Sequence, residues 1–349
     1  MIARKITVTP VFGVVDEFMD GEAFPTTDLP FEVGPGVFLA DVHEQLRTAD
    51  YSLWAREYLS KQDVKELQGW HYALVHYFDS EEYLTSEPEE LSRELVYRVF
   101  LGLRIVRPSW TPYQFLRAAV RADGSFSPSG FSKAEGRLSV SSCDAANSIR
   151  RRDAELLRRI VPPLLNAYEA RCRPVVRAIG ILELGYISRF NDAKQLLWTT
   201  ALDGMLTSAK HWGSTLAVRR IQDLIGSATR IYDAADFPSY INLPTLTVGQ
   251  SLPDIYKFRN KLAHGEWAPS EFLERLGYRG KAGEQLNYAD VLLEATGIIL
   301  RKSLIRILAD NLLAVFQTKD ALDWYFSRRG LVNKGMRQRG FSSREPSFH

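Results

Sequence analysis

Apolar residues at helical spacing dominate the chain from about residue 144 onward, and nothing else restricts its fold as strongly. Val291, Ile298, Ile305 and Leu312 recur every seven residues, supported by Leu308 and Phe316, so 288–316 is expected to be the strongest helix. Phe190, Ala193, Leu197, Ala201 and Met205 predict a long helix over roughly 186–209, and Ala217, Ile221, Leu224, Ala228 and Ile231 another over 214–232. A helix over 146–168 carries Pro162 and Pro163, which must kink or divide it. Helices of this kind bury their stripes against one another, so this part of the chain is expected to be a compact bundle.

The first part reads differently. Ile6, Val8, Phe12 and Val14 alternate with polar or small residues and predict an early strand. A second extended piece lies around 31–39, broken by Gly34, Pro35 and Gly36. Residues 70–78, WHYALVHYF, are apolar or aromatic on both faces, as a buried central strand requires. Helices are expected at 41–59 and 89–106, the second with Leu91, Leu95, Val99 and Leu103 on one face, and strand-like pieces near 113–121. The Gly-, Ser- and Pro-rich loop ADGSFSPSGFSK, or the SVSSCD segment after it, is the best boundary. The fold class is therefore α+β, with a mixed α/β domain over 1–140, a helical domain over 141–326 and a basic tail over 327–349. A chain of 349 residues is long enough for each of two domains to have a core. The tail, rich in Gly, Ser and Arg, is expected to be disordered and at most an electrostatic arm.

The net charge of +2 conceals local imbalance. Residues 79–94 hold seven acids against Arg93, and residues 147–177 hold eight arginines against Asp153, Glu155 and Glu169. Within the second group Arg150, Arg151 and Arg158 are candidate RNA contacts, or simply part of a solvated helix face. Glu81, Glu82, Glu89 and Glu90 read more readily as a solvated loop and helix start than as an acidic site. His71 and His76, five apart on a strand, point to opposite faces and suit packing or hydrogen bonding better than a metal. Cys143 and Cys172 lack metal-ligand spacing, and no metal or cofactor is expected. The N-terminus lacks a signal-peptide pattern and no run of 18 apolar residues occurs, so a cytoplasmic protein without a membrane partner is expected.

One stretch proposes chemistry. Residues 251–266, SLPDIYKFRNKLAHGE, read as a short helix with Ser251 as its cap, Pro253 in its first turn, Asp254 toward the positive end of the dipole and Gly265 as its stop. Arg259, Asn260 and His264 form the pattern Arg-Asn-x-x-x-His. The spacing alone carries little, because Arg344 and His349 repeat it in the tail. Context carries more. Asn260 and His264 share a helix face, His264 lies at a helix C-terminus where the dipole complements positive charge, and Phe258 and Leu262 give the helix an apolar side. A histidine can move the proton of a ribose 2′-hydroxyl, an arginine can balance charge on phosphoryl oxygens, and an asparagine can orient either partner. Arg259 and His264 are about 140° apart on an ideal helix, so a working site is expected to be composite, formed by two copies of the helix.

The run YKFRNKLAHG, preceded by helices containing LLWTTALDGML and RRIQDLI, resembles the HEPN superfamily, in particular its Apea-like branch, over roughly 185–315. The resemblance implies a helical bundle, typically dimeric, and a metal-independent endoribonuclease of phage-defence or toxin–antitoxin systems. It implies Arg259 and His264 as the catalytic pair, with Asn260 as the polar residue after the arginine. Asp203 falls where relatives often carry an acid, and Tyr256 and Lys261 in the same stretch are further auxiliary candidates. RNA, a second copy of the chain and an antitoxin or regulatory protein are the partners implied. The other reading is a non-catalytic module that dimerises or binds RNA or a nucleotide.

Overall fold

The computed structural model describes residues 2–11, 29–41, 72–81, 87–108, 113–122, 126–133, 149–207, 213–232, 245–265, 276–279 and 285–338. Strands β1 (Ile2–Val11), β2 (Phe31–Gly34), β3 (Val37–Asp41), β4 (Tyr72–Glu81), β5 (Gln114–Val120) and β6 (Phe126–Lys133) form one antiparallel sheet in the order β2-β3-β4-β1-β5-β6. The alternation that predicts β1 sets its register. Ile6 and Val8 are buried in an apolar cluster with Ala73, Val75, Leu116 and Ala118, while Lys5, Thr7 and Thr9 are buried on the other face. β4 lies between β3 and β1, which accounts for its apolar content on both faces. β6 occupies most of the stretch read from sequence as a boundary loop. Ser and Gly serve an edge strand here, and Gly130 leaves room for Arg117, whose Nε would lie 2.7 Å from an added Cβ. Asp41 ends β3 rather than opening a helix, and the rest of the helix expected at 41–59, the SVSSCD segment, and Phe12, Val14, His71, Glu82 and Cys143 lie outside the described residues.

Helix α1 (Glu87–Val106) crosses the sheet over β4 and β1. It buries Val96, Val99, Phe100 and Leu103 as its periodicity requires, but Leu91 is exposed, because Glu89 and Ser92 take the sheet side to meet Lys5 and Thr7. Then follow α2 (Arg151–Glu169), α3 (Arg173–Ile187), α4 (Asn191–Leu206), α5 (Ser214–Ile225), α6 (Val248–Ala263), α7 (Tyr288–Ala309), α8 (Leu313–Gln317) and α9 (Lys319–Gln338), with a short hairpin of β7 (Leu276–Arg279) and β8 (Gln285–Asn287) before α7. The architecture is thus α+β, an antiparallel sheet joined to a mostly helical remainder. One continuous hydrophobic core runs from Val33, Val37, Leu39 and Leu74 through α1 to Leu157, Ile160, Val161 and Leu164 of α2, and on into the other helices.

The helix boundaries differ from the periodic expectation wherever a backbone break intervenes. Pro162 and Pro163 do not divide α2, which runs on through both. The helix expected over 186–209 is α4, which starts only at Asn191 after the break at 188–190 that ends α3, so Phe190 precedes α4 and is exposed. Gly226, at φ +88°, stops α5 before Ala228 and Ile231. Asn311, at φ 53°, separates α7 from α8. The first part of the basic segment expected to be a disordered tail continues α9 as far as Gln338; its proline, Pro346, lies beyond that point. Helix α7 confirms the strongest periodicity in the chain. It touches every helix from α1 to α6 and is apolar nearly all round, with Val291, Leu292, Ile298, Ile299, Leu300 and Leu304 buried. No helix among the described residues is long and apolar enough to cross a membrane.

Candidate functional site

The motif helix α6 begins one turn earlier than its Ser-Leu-Pro-Asp segment suggests. Thr247 is the cap: its hydroxyl accepts from the Gln250 N–H at 3.4 Å, and the Gln250 side chain accepts from the Thr247 N–H at 3.0 Å. Ser251 is fully buried within the helix, donating to the Val248 carbonyl, and Pro253 also lies inside it. Asp254 is correspondingly past the first turn, where it accepts from the Tyr288 hydroxyl at 2.8 Å. The stop is as expected: Gly265 follows at φ +75° with its N–H on the Leu262 carbonyl.

Leu252, Ile255, Tyr256 and Phe258 bury one side of α6 against α4, α5 and α7. On that side Asp203 of α4 reaches the motif. The Tyr256 hydroxyl donates to Asp203 Oδ1 at 2.7 Å, and Arg259 Nη2 donates to Asp203 Oδ2 at 3.4 Å. Arg259 Nη1 donates to Asn260 Oδ1 at 3.0 Å. The Arg259 and Asp203 side chains retain 32% and 24% of their exposure, so the pair lines an open surface although the Tyr256 ring beneath it is buried. Burial raises the Asp203 carboxyl above its ordinary range, and the Tyr256 bond and the Arg259 charge act against that rise. The Tyr256 phenol is pushed well above its ordinary value, first by burial and then by the Asp203 charge.

The other sequence candidates lie apart from this cluster. His264 is the C-cap of α6 and is exposed, with its N–H on the Asn260 and Lys261 carbonyls and no described side chain bonded to its ring. Lys261 is half-buried in the last turn. Arg150 is buried at the N-terminus of α2, where its N–H meets Asp153 Oδ2 at 3.1 Å, and is not available as a surface contact. Arg151 pairs with Glu155 one turn on at 3.2 Å, and the Arg158 guanidinium lies 5.1 Å from the centre of the Phe31 ring.

A second polar cluster escapes the sequence reading. Glu89, read as part of a solvated helix start, is buried and holds Lys5, while Arg117 Nη1 meets its other oxygen at 2.8 Å. Beside it Ser92 Oγ is 2.8 Å from both Thr7 Oγ1 and His76 Nδ1. The available signal was in β1, where Lys5, Thr7 and Thr9 occupy the face of an inner strand that a helix covers, and so need polar partners there. Burial lowers the His76 ring below its ordinary value of 6.5. Among the described residues no group of three or more His, Cys, Asp or Glu side chains is placed to hold a metal ion. Cys172 is buried beside the Leu313 carbonyl. In comparisons with known proteins, no family model, no curated protein and no solved structure matches the chain.

Proposed function

We propose that the chain is an endoribonuclease whose chemistry needs no metal ion and whose site is completed by a second copy of the chain. The observation that carries this reading is the state of Arg259. Of the five N–H groups a guanidinium offers, two are bonded, to Asp203 and Asn260, which leaves three on a side chain that is oriented but still partly exposed. Such a fork suits the two non-bridging oxygens of a phosphodiester. His264, exposed at the end of the same helix, supplies the group that moves protons.

In this mechanism the neutral His264 of one copy takes the proton of a ribose 2′-hydroxyl, whose oxygen attacks the adjacent phosphorus. The bond to the 5′ oxygen breaks, and the protonated His264 of the other copy returns a proton to that oxygen. A 2′,3′-cyclic phosphate and a 5′-hydroxyl result. Arg259 balances the charge that builds on phosphorus, and Asn260 fixes the guanidinium through its Oδ1. One specific observation favours a binding module instead: Arg259 and His264 do not meet within one chain, so without a second copy the trio binds phosphate but lacks a paired acid and base. A phage-defence or toxin–antitoxin setting, with an antitoxin-like regulator, belongs to the same proposal.

The test is purified protein on structured and single-stranded RNA in EDTA, wild type beside His264→Ala and Arg259→Ala, with the ends of the products identified. Cleavage by the wild type alone, leaving cyclic phosphate ends, is expected. Equal cleavage by all three, or none by the wild type, overturns the assignment.

A further inference from the structure

We propose that Tyr256 is a positioning residue of this site, whose hydroxyl fixes Asp203 so that the opposite carboxylate oxygen holds the Arg259 guanidinium in place. Its link to catalysis rests on the ribonuclease reading above; the positioning itself does not.

Tyr256 and Arg259 are three apart on α6 and so face the same side, toward Asp203 of α4. The two carboxylate oxygens divide the work: Oδ1 takes the phenol at 2.7 Å and Oδ2 takes the guanidinium at 3.4 Å. The shorter bond comes from a residue that is 3% exposed and cannot swing, whereas the longer one goes to a side chain that reaches the surface. Asp203 is thus fixed from below and holds Arg259 from the side, loosely enough for a phosphate to share it. A packing role would need only the ring of Tyr256, which phenylalanine supplies equally well; the hydroxyl is spent on Asp203 alone.

The titratable groups acting on Asp203 are Tyr256 and Arg259, both from α6. Among the charges on the other helices packed against α4, Glu183 of α3 pairs with Arg104, Arg219 and Arg220 of α5 pair with Asp223 and Asp323, and Asp290 of α7 meets Asn191. Removing the phenol therefore removes one of two groups that favour the ionised carboxylate. In Tyr256→Phe the Asp203 carboxyl should titrate higher, because a bond that favours its ionised form is gone, and Arg259 should lose its anchor at a higher pH than in the wild type.

The experiment is carboxyl ¹³C titration of Asp203 by NMR, with the Arg259 Nε–H signal, in the full chain and in Tyr256→Phe, beside pH–rate profiles for RNA cleavage. The expected results are an upward shift of the Asp203 midpoint, broadening of the Arg259 signal, and a kcat about 10- to 100-fold lower with its acid limb moved to higher pH. An unchanged Asp203 midpoint together with an unchanged Arg259 signal overturns the positioning role, whatever the activity. A wild type that does not cleave RNA overturns the ribonuclease reading, and the NMR measurements still decide the positioning role. Should Tyr256→Phe fail to fold, Asp203→Asn takes its place, and an Arg259 signal as sharp as in the wild type then refutes the proposal.

Discussion

Replacing Gly185 by alanine measures how firmly the bundle fixes the helix that carries Asp203. Trp198 lies on α4 five positions before Asp203, is buried, and is confined from two sides. A Cβ on Gly185 of α3 would come within 2.0 Å of its Nε1, and a Cβ on Gly297 of α7 within 2.9 Å of its Cζ3. The indole N–H also donates to the Leu182 carbonyl at 3.2 Å. In Gly185→Ala the ring cannot retreat toward α7, so the helices must part or the ring must turn and lose that bond. Overpacking costs about 1–3 kcal/mol and the lost bond about 1 kcal/mol. The helix propensity of alanine over glycine returns about 1 kcal/mol. The net loss is then about 1–3 kcal/mol. Gly180, on the same helix but with nothing within 4 Å of an added Cβ, is the control. Gly180→Ala should gain up to about 1 kcal/mol from propensity alone. Urea unfolding followed by circular dichroism and tryptophan fluorescence separates the two variants. A Gly185→Ala protein at least as stable as the wild type would refute the packing argument.

Two further predictions concern the polar seam under α1. Glu89→Gln leaves the buried Lys5 and the part-buried Arg117 without their shared counter-charge, so unfolding free energy should fall by about 3–5 kcal/mol, read as a lower denaturation midpoint; a loss below about 1 kcal/mol would mean that the triad behaves as a surface pair. His76 binds its proton less readily when folded than when unfolded, so its contribution to stability is present above pH 6.5 and is lost as pH falls through its lower folded value. The melting temperature of the wild type should therefore fall faster below pH 6.5 than that of His76→Gln, and parallel curves would exclude the effect.

What the sequence made legible is what local rules decide. The alternation of Ile6 and Val8 with Thr7 and Thr9, the apolar content of 72–78 and the seven-residue recurrence in α7 each identified an element because one face, or every face, had to be buried. Boundaries failed where one backbone conformation outweighed a continuing stripe, as at Gly226 and Asn311. The cap of α6 was misplaced because Ser-Leu-Pro-Asp and Thr-Val-Gly-Gln are both credible starts, and only the buried position of Ser251 distinguishes them. Partnerships across the chain were beyond local rules. Nothing in spacing links Glu89 to Lys5 and Arg117, or Tyr256 and Arg259 to Asp203, since each pairing depends on how helices and strands pack.

The two charged clusters differ in a way that bears on function. Both include carboxylates taken largely out of water, which costs free energy that ion pairing only partly offsets. The triad of Lys5, Glu89 and Arg117 is closed, with side chains 5%, 8% and 18% exposed, and a substrate could reach it only by displacing α1 from the sheet. Its role ends with holding α1 in register over β1 and β5. At Asp203 the balance is less favourable to the fold. Burial works against the carboxylate, yet its ion pair with Arg259 is long and half-open, the kind that contributes at most about 1 kcal/mol. A stability argument alone would replace Asp203 and Tyr256 with an apolar pair of similar size. Under the ribonuclease proposal, a carboxylate held at a cost, which aims an unsaturated arginine at an open surface, is what a phosphate-handling site requires. On that proposal, the weakness of the pair would let Arg259 exchange Asp203 for a substrate phosphate.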